Sequence, residues 1–465
     1  MGLAAGFLGF GMEDERMKHA LEIARESGMV LEFHVIPYEN NHPNTYKMTL
    51  TGADGDTIDL LAISTGGGMI EFTGLDGFPV SSLGDYHEAY IVYDRPDSAP
   101  EDSRLKEALR DMLEESGFVD EFCMVEKGKQ YLLNMKSSTG PLREFSNLLK
   151  GKLRNSRMRF AGPVMPVLCR RNLEVPFLTA ADALRSAEGM QSWEVAAHYE
   201  SCRSDLPVSE VLDMMEEIVR IMDQSIQQGL KGTEYTDRIL GRQSHLIGEA
   251  AKEGKLIGGS LVNGIISSIM AMMEVKSALG VIVAAPTAGS CGTLPGTVIT
   301  TGRELGLNHT EMAKAMLVAG LVGIFIAGKS TFAAELAGCQ AECGSATGMT
   351  AAALVQMKGG SLGESFDAAS MAFQNIFGLA CDPVANRVEV PCLGKNIMAG
   401  VNALSSANLA LAGVDAVIPL DEVITAMDKT GRSLPYEIRC TGYGGLSVTP
   451  TAIRLEDRLK TGNGA

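Results

Sequence analysis

Residues 311–325, EMAKAMLVAGLVGIF, decide the class of fold. Apolar and small side chains recur there at helical spacing with no proline, which reads as a helix buried on most of its surface. Residues 208–228 and 260–279 repeat the pattern, and helical periodicity runs almost unbroken from 176 to 465. Strand-like runs in that region are short, such as residues 281–284. Ala, Gly and Met dominate its helices; small side chains let helices approach closely, and Met fills irregular gaps. The expectation is a multi-domain protein with a mostly α-helical C-terminal domain over residues 166–465, entered through a linker at 161–175.

Ahead of the linker the pattern is α+β. Residues 12–27 read as an amphipathic helix, and residues 30–37, 46–50 and 58–63 as strands, giving an N-terminal unit over 1–83. The run STGGGM at 64–69 sets three glycines in a row around Gly67. It reads either as a backbone approaching a ligand or as a tight turn. Residues 84–165 give a strand at 89–93, a helix at 101–116, a hairpin of 122–126 with 130–135, a helix at 141–150 and a strand at 157–160. That βαββαβ order is ferredoxin-like. Small amino-acid-binding modules often share it, so by fold analogy the segment reads as an ACT-like regulatory module.

Composition narrows the function classes. The chain is 45% hydrophobic and 21% charged, ordinary for a globular protein. Its formal net charge of -17 repels phosphate, so neither nucleic acid nor an anionic membrane is expected as a partner. The uncharged runs at 256–273 and 277–302 are interrupted by Gly, Ser, Asn, Thr or Pro, and read as core rather than as membrane spans. The start, MGLAAGFLGFGMEDERM, has no basic region before its apolar residues, so no signal peptide and a cytoplasmic location are expected. In a reducing compartment the nine cysteines are thiols or metal ligands rather than disulfides. Six of them follow residue 290.

Three of those six stand in stiffened contexts: Gly338-Cys339-Gln340, Cys381-Asp382-Pro383 and Pro391-Cys392. Proline fixes the backbone and can aim a thiolate in one direction. Three fixed thiolates suit an iron–sulfur cluster that leaves one iron open, and soft sulfur donors select such centres over hard cations. A zinc site would more often pair C-x₂-C motifs with histidine, and that pattern is missing. Spacing alone leaves a metal site and a set of unrelated buried thiols both open.

Several motifs in collinear order extend the reading. APTAGSCGTLPG at 285–296, GCQAECG at 338–344, CDPVANRVEVPC at 381–392, Asn396, LDEVITAMDKTG at 420–431 and Gly444-Gly445-Leu446 resemble those of the iron–sulfur-dependent L-serine dehydratases. The likeness spans about residues 175–460. It implies a lyase that deaminates L-serine to pyruvate and ammonia, with a [4Fe–4S] cluster on Cys339, Cys381 and Cys392. Cys343 lies off those motif positions. For that reaction the backbone N–H groups of Thr287, Ala288, Gly289, Ser290 and Gly67 are candidates to bind the substrate carboxylate, and Asn396 is a candidate either to contact the substrate or to orient a thiolate ligand. The N-terminal segments LGFGMEDERM, His42-Pro43-Asn44-Thr45 and STGGGM are similar to that family's smaller, beta-type domain. The family's Ser-Ser-His-Thr-x-Gly-Pro motif does not stand ahead of them, so three readings stay open: a second subunit supplies it, the chain start is incomplete, or the chemistry has diverged; a single chain is expected to be weakly active or inactive. His42 is the remaining histidine best placed on motif grounds to be catalytic. The expected substrate is a small amino acid, and a homo-oligomer is expected.

Two other enzyme classes meet the sequence. GIFIAGKS at 323–330 fits a P-loop letter for letter, but its context is helical before and apolar throughout, whereas a P-loop follows a strand. Lys329 would be the lysine for a pyridoxal-phosphate enzyme, yet no glycine-rich phosphate cup lies nearby. Two alternatives stay beside the dehydratase: a desulfidase releasing sulfide from cysteine, and a non-catalytic partner that keeps the scaffold.

Overall fold

Short polar turns dictate the first sheet. Asp54-Gly55, the glycine run after Thr65 and Asp76-Gly77 each reverse the chain, with Gly55, Gly68 and Gly77 at positive φ. They join β1 (Thr45–Thr51), β2 (Thr57–Gly66), β3 (Met69–Leu75) and β4 (Phe78–Ser82) into an antiparallel meander in sequence order. The computed structural model describes all residues except 12, 37, 39–41, 43, 67, 165–173 and 462–465. Gly66 pairs with Met69, so the STGGGM run turns a hairpin; Gly67 lies outside the described residues. The strands expected at 46–50 and 58–63 form, slightly longer. β3 and β4 were not expected, because a register shift between Phe72 and Gly74 breaks the period-two pattern a strand would show.

The strand expected at 30–37 does not form among its described residues. Val30 and Val35 are 82% and 105% exposed, and no strand edge lies beside them to complete a ladder. The single helix expected at 12–27 is a 3₁₀ turn, Glu15–His19, followed by the helix Ala20–Glu26. The helix packs Ala20 and Ala24 against Ala4 and Ala5 of Gly2–Phe7.

The second sheet follows from a different pattern. β5 (His87–Asp94) and β7 (Gln130–Ser137) are apolar on both faces, as strands covered on two sides must be. With β6 (Glu121–Lys127) and β8 (Arg157–Ala161) they build an antiparallel sheet in the order β6-β7-β5-β8. The helices Ala99–Glu115 and Leu142–Lys150 lie over Ala89, Ile91, Tyr93 and Leu133. The alternate residues Tyr90, Val92 and Leu132 pack on Leu75 and Phe78 of the first sheet. Residues 84–161 therefore share a core with the meander as well as with their own helices. The linker expected at 161–175 falls largely outside the described residues.

Beyond it the chain is helical. His309–Lys329 runs through the largest core with Val208–Lys231, Ser345–Met357 and Leu420–Arg432 around it. Glycine sets the spacing: a Cβ on Gly348 would lie 2.1 Å from the ring of Phe373, so helix Leu362–Gln374 closes directly on that backbone. Residues 281–284 form no strand and carry no regular secondary structure. The run at 256–273 is only partly core, since Ile257 is 98% exposed and burial begins inside the helix Ser260–Ser277. His309–Lys329 is long and apolar enough to cross a membrane, yet its flanks are occupied by neighbouring helices.

The same helix disposes of the P-loop match, because it continues unbroken through Lys329. The Lys329 ammonium lies 2.7 Å from Asp421 Oδ1. Asp421 also accepts hydrogen bonds from the N–H groups of Ala180 and Ala181 at 3.1 and 3.0 Å, at the start of the helix Ala180–Ser186. Burial would raise this carboxyl, but the Lys329 and backbone bonds outweigh it and hold it below the usual range. Asp421→Ala is expected to cost about 1.5–3 kcal/mol, the worth of hydrogen bonds to a charged group, read by urea denaturation. The lowered folded-state pKa means that this stability is fully present above the unfolded value of about 3.9 and is lost as pH falls through the folded one. The difference from wild type should therefore persist at neutral pH and shrink only in strongly acidic buffer.

Candidate functional site

Three segments far apart in sequence are fastened to one another by buried polar side chains. The first begins at Gly338, at φ +72, whose missing Cβ would fall 2.8 Å from the Leu379 carbonyl oxygen. That close approach sets the GCQ segment against the chain leading to Cys381. Cys339 then opens a π-helical turn, Gln340–Gly344, of a kind that interrupts helices at functional sites. Gln340 has no solvent exposure. Its Nε2 donates to Met427 O at 2.7 Å, and its Oε1 accepts from Gly378 N at 2.9 Å. One amide thus ties the turn both to helix Leu420–Arg432 and to the approach to Cys381.

Cys381 is clamped from the chain's last quarter. Its N–H donates to Ile438 O and its carbonyl accepts from Cys440 N, both at 2.8 Å. Asp382 pairs with Lys395 at 2.8 Å and accepts from Leu446 N at 2.9 Å. The GGL motif follows from this contact: Gly445 sits at φ +58, and a Cβ there would lie 2.5 Å from Asp382 Oδ2. Cys392 opens the helix Cys392–Leu411. One turn later comes Asn396, also without solvent exposure. Asn396 Oδ1 accepts from Gly292 N, Thr293 N and Thr293 Oγ1 at 3.1, 3.1 and 3.0 Å. Its Nδ2 donates to Gly289 O at 2.8 Å and Cys392 O at 2.9 Å, and lies 3.7 Å from Cys343 Sγ.

The thiols gather at this junction. Cys339, Cys343 and Cys381 form one buried group with Cys440 packed against it, and all are free thiols. The Cys339 and Cys381 sulfurs and a Glu342 carboxylate oxygen all lie within 4.8 Å of one another. Cys392 is buried in the adjoining apolar pocket with Cys291 and Ile269, within electrostatic reach of Cys339.

Charge at the site is rationed. Hydrogen bonds from Cys343 and Cys381 hold Cys339 well below the usual thiol range. Those same bonds to Cys339 push Cys343 and Cys381 up, and burial followed by the charge of Cys339 raises Cys392. Burial, then Cys339, pushes Glu342 up to about 8 although Thr287 donates to it at 2.7 Å. Burial acts to lower Lys395, but the charges of Cys339 and Asp382 outweigh it and raise it. Ionisation is thus favoured at Cys339 and disfavoured at its neighbours, and a cation entering the site would favour release of their protons, the usual coupling of metal binding to proton release. Soft donors, burial and rigid backing all fit a thiolate-bound metal centre.

The substrate contacts expected on the TAGS loop are partly committed elsewhere. Thr287 and Ser290 are buried and cap each other, with Ser290 N donating to Thr287 Oγ1 at 3.2 Å. Gly289 faces Glu342, whose Oε1 would lie 2.5 Å from a Cβ at that position. Ala288 is exposed at the loop tip. Asn396 organises this loop from behind rather than standing open. His42 is engaged locally: its Nδ1 accepts from Asn44 N at 3.1 Å and its carbonyl from Thr45 Oγ1 at 2.6 Å. Asn44 Nδ2 reaches Glu335 Oε1 at 3.2 Å, so this segment docks just ahead of Cys339. Glu342, Lys395 and Cys440 had no role in the sequence reading. The signal for Glu342 was its lone charge in the small-residue run GCQAECG.

Asn396→Ala is expected to destabilise the chain by about 3 kcal/mol or more, because buried partners lose their bonds. Asn396→Asp should be no better, since a carboxylate oxygen would face the carbonyls of Gly289 and Cys392. Chemical denaturation of both variants checks this.

Residues 171–447 match the family model described as serine dehydratase alpha chain. The chain is 39% identical over 250 residues to the probable L-serine dehydratase alpha chain of Bacillus subtilis, covering 54% of this chain and 83% of that one. It is 46% identical over 194 residues to the corresponding probable alpha chain of Latilactobacillus sakei, covering 42% and 93%. It is 35% identical over 277 residues to the L-serine dehydratase alpha chain of Peptoniphilus asaccharolyticus, covering 59% and 95%.

Proposed function

The chain belongs to the serine dehydratase alpha-chain family, and from that premise we propose that it deaminates L-serine to pyruvate and ammonia at a [4Fe–4S] centre. The observation that carries the proposal is the buried meeting of Cys339, Cys381 and Glu342, with Cys392 beside them. Cys339, Cys381 and Cys392 are the ligands in this reading. A cluster held there would supply a Lewis acid to the departing hydroxyl.

The chain's own residues do the rest. Gln340, Asp382 and Asn396 fix the ligand-bearing segments, so the thiols need not reorganise when metal binds. Lys395 places a positive charge beside Cys339 and Cys381, which offsets the charge of several thiolates in a buried site. The TAGS loop, residues 287–290, lines the approach to Glu342, and the exposed Ala288 is its point of access to substrate. β-Elimination removes the α-proton and the β-hydroxyl, and the aminoacrylate released becomes pyruvate and ammonia in water.

His42 is the catalytic proton carrier in this reading. Because Nδ1 accepts the Asn44 N–H, the neutral ring carries its proton on Nε2. It is the base that takes the α-proton once the Asn44 bond is released and a ring nitrogen is free, and the imidazolium so formed returns that proton to the leaving oxygen. His42→Gln should lower kcat by about 10²-fold or more while iron content stays unchanged.

The reading extends to the whole chain. Residues 1–83 are its beta-type part and residues 166–465 its catalytic part. Residues 84–165 are a ferredoxin-like regulatory module: their strand order places the first and third strands side by side at the centre, the split βαβ arrangement. The relatives are named as alpha chains, which supports a second, beta-type subunit as partner; self-association and a cytoplasmic location belong to the proposal on sequence grounds alone.

Anaerobic purification followed by iron, acid-labile sulfide and pyruvate measurements tests the proposal. Equal iron and sulfide, pyruvate formed from L-serine and loss of the brown chromophore in Cys381→Ser are the expected results. Turnover by an iron-free chain would reject it, and faster release of sulfide from L-cysteine than of pyruvate from L-serine would favour a desulfidase.

A further inference from the structure

Cys440 stands beside a proposed ligand without belonging to the ligand set. Its N–H donates to the Cys381 carbonyl, and residue 439 forms an isolated parallel bridge with Cys381. Its side chain packs against the buried group of Cys339, Cys343 and Cys381. Those three are 1%, 1% and 3% exposed, whereas Cys440 is only partly buried. Its backbone is left-handed, at φ +61, a conformation that glycine adopts freely and a cysteine adopts only when held. The bond to Cys381 supplies that hold, with Arg439 next to it anchored to Leu336 O. The chain thus keeps a partly buried thiol against a proposed ligand thiol through backbone contacts of its own.

We propose that Cys440 and Cys381 join as a disulfide once metal has left the site, storing a ligand sulfur in an oxidised, metal-free chain. This rests on the reading of Cys381 as a ligand. The oxidant is a small-molecule disulfide arriving from solvent. The Cys440 thiolate attacks one of its sulfurs, forming a mixed disulfide and expelling one small thiolate. The Cys381 thiolate then attacks the Cys440 sulfur, forming the internal bond and expelling the second thiolate. The two protons lost by Cys440 and Cys381 pass to the two expelled thiolates, and the two electrons reside on the small thiols so formed. While Cys381 is bound to metal its sulfur is not free to attack, so the bond forms only after metal loss. The pairs Cys339–Cys343 and Cys339–Cys381 are also close, but a solvent-borne oxidant meets Cys440 before it meets any of those sulfurs.

The test uses the full chain, purified anaerobically, stripped with a chelator and treated with oxidised glutathione. Free thiols are then alkylated, and the unreduced digest is mapped by mass spectrometry. A fragment joining Cys381 to Cys440 is the expected dominant cross-link. Dominance of a link between Cys339 and Cys343 or between Cys339 and Cys381, or a Cys440 that stays free or stops at the glutathione adduct, overturns the proposal. Cys440→Ser should abolish the cross-link and keep its as-isolated iron; loss of that iron would make Cys440 a ligand and also overturn it. Iron in the untreated protein separates the two readings. A Cys381–Cys440 link in a protein that never held iron leaves the disulfide standing and rejects the cluster. Iron without the link does the reverse.

Discussion

Asn396 is the contact on which the site's architecture depends. Its amide is fully buried and bonds to the 289–293 segment and to the first turn of the helix that Cys392 opens. A buried amide left without partners costs about 1–3 kcal/mol for each unsatisfied group. The two segments are therefore locked together or the interior is broken. Gln340 and Asp382 repeat the arrangement for the other two cysteine segments. Each of the three proposed ligand segments is backed by one polar side chain reaching to a different part of the sequence.

That backing has an electrostatic consequence. Thiols crowded in a low-dielectric interior cannot all ionise together, so one thiolate is stabilised at the expense of its neighbours. Lys395 offsets part of the charge, and Glu342 is pushed toward its neutral form beside Cys339. A cation in the midst of these groups would let several ionise at once. The donor set therefore suits a cation, and Cys440 borders it through its backbone bond to Cys381.

Much of this was legible in the chain itself. The helical region, the strand–helix order of residues 84–165 and the motif segments could be read from periodicity and local sequence. The partners of the motif residues could not. Gly445 was visible only as part of a motif and is a contact for Asp382, and Gly338 is a contact for the Leu379 carbonyl. Such approaches link positions tens of residues apart and leave no periodic trace. Residues 30–37 failed for a related reason: strand propensity is local, but a strand exists only if another edge is there to pair with it. Glu342 and Lys395 were visible as letters, and their importance came only from burial beside sulfur.

Iron-edge anomalous diffraction from crystals of the anaerobically purified protein tests the central claim most directly. The account predicts one compact iron peak bonded to the sulfurs of Cys339, Cys381 and Cys392, with the Gln340, Asp382 and Asn396 contacts unchanged. Iron bound elsewhere, or those three sulfurs separated with no iron between them, would contradict it.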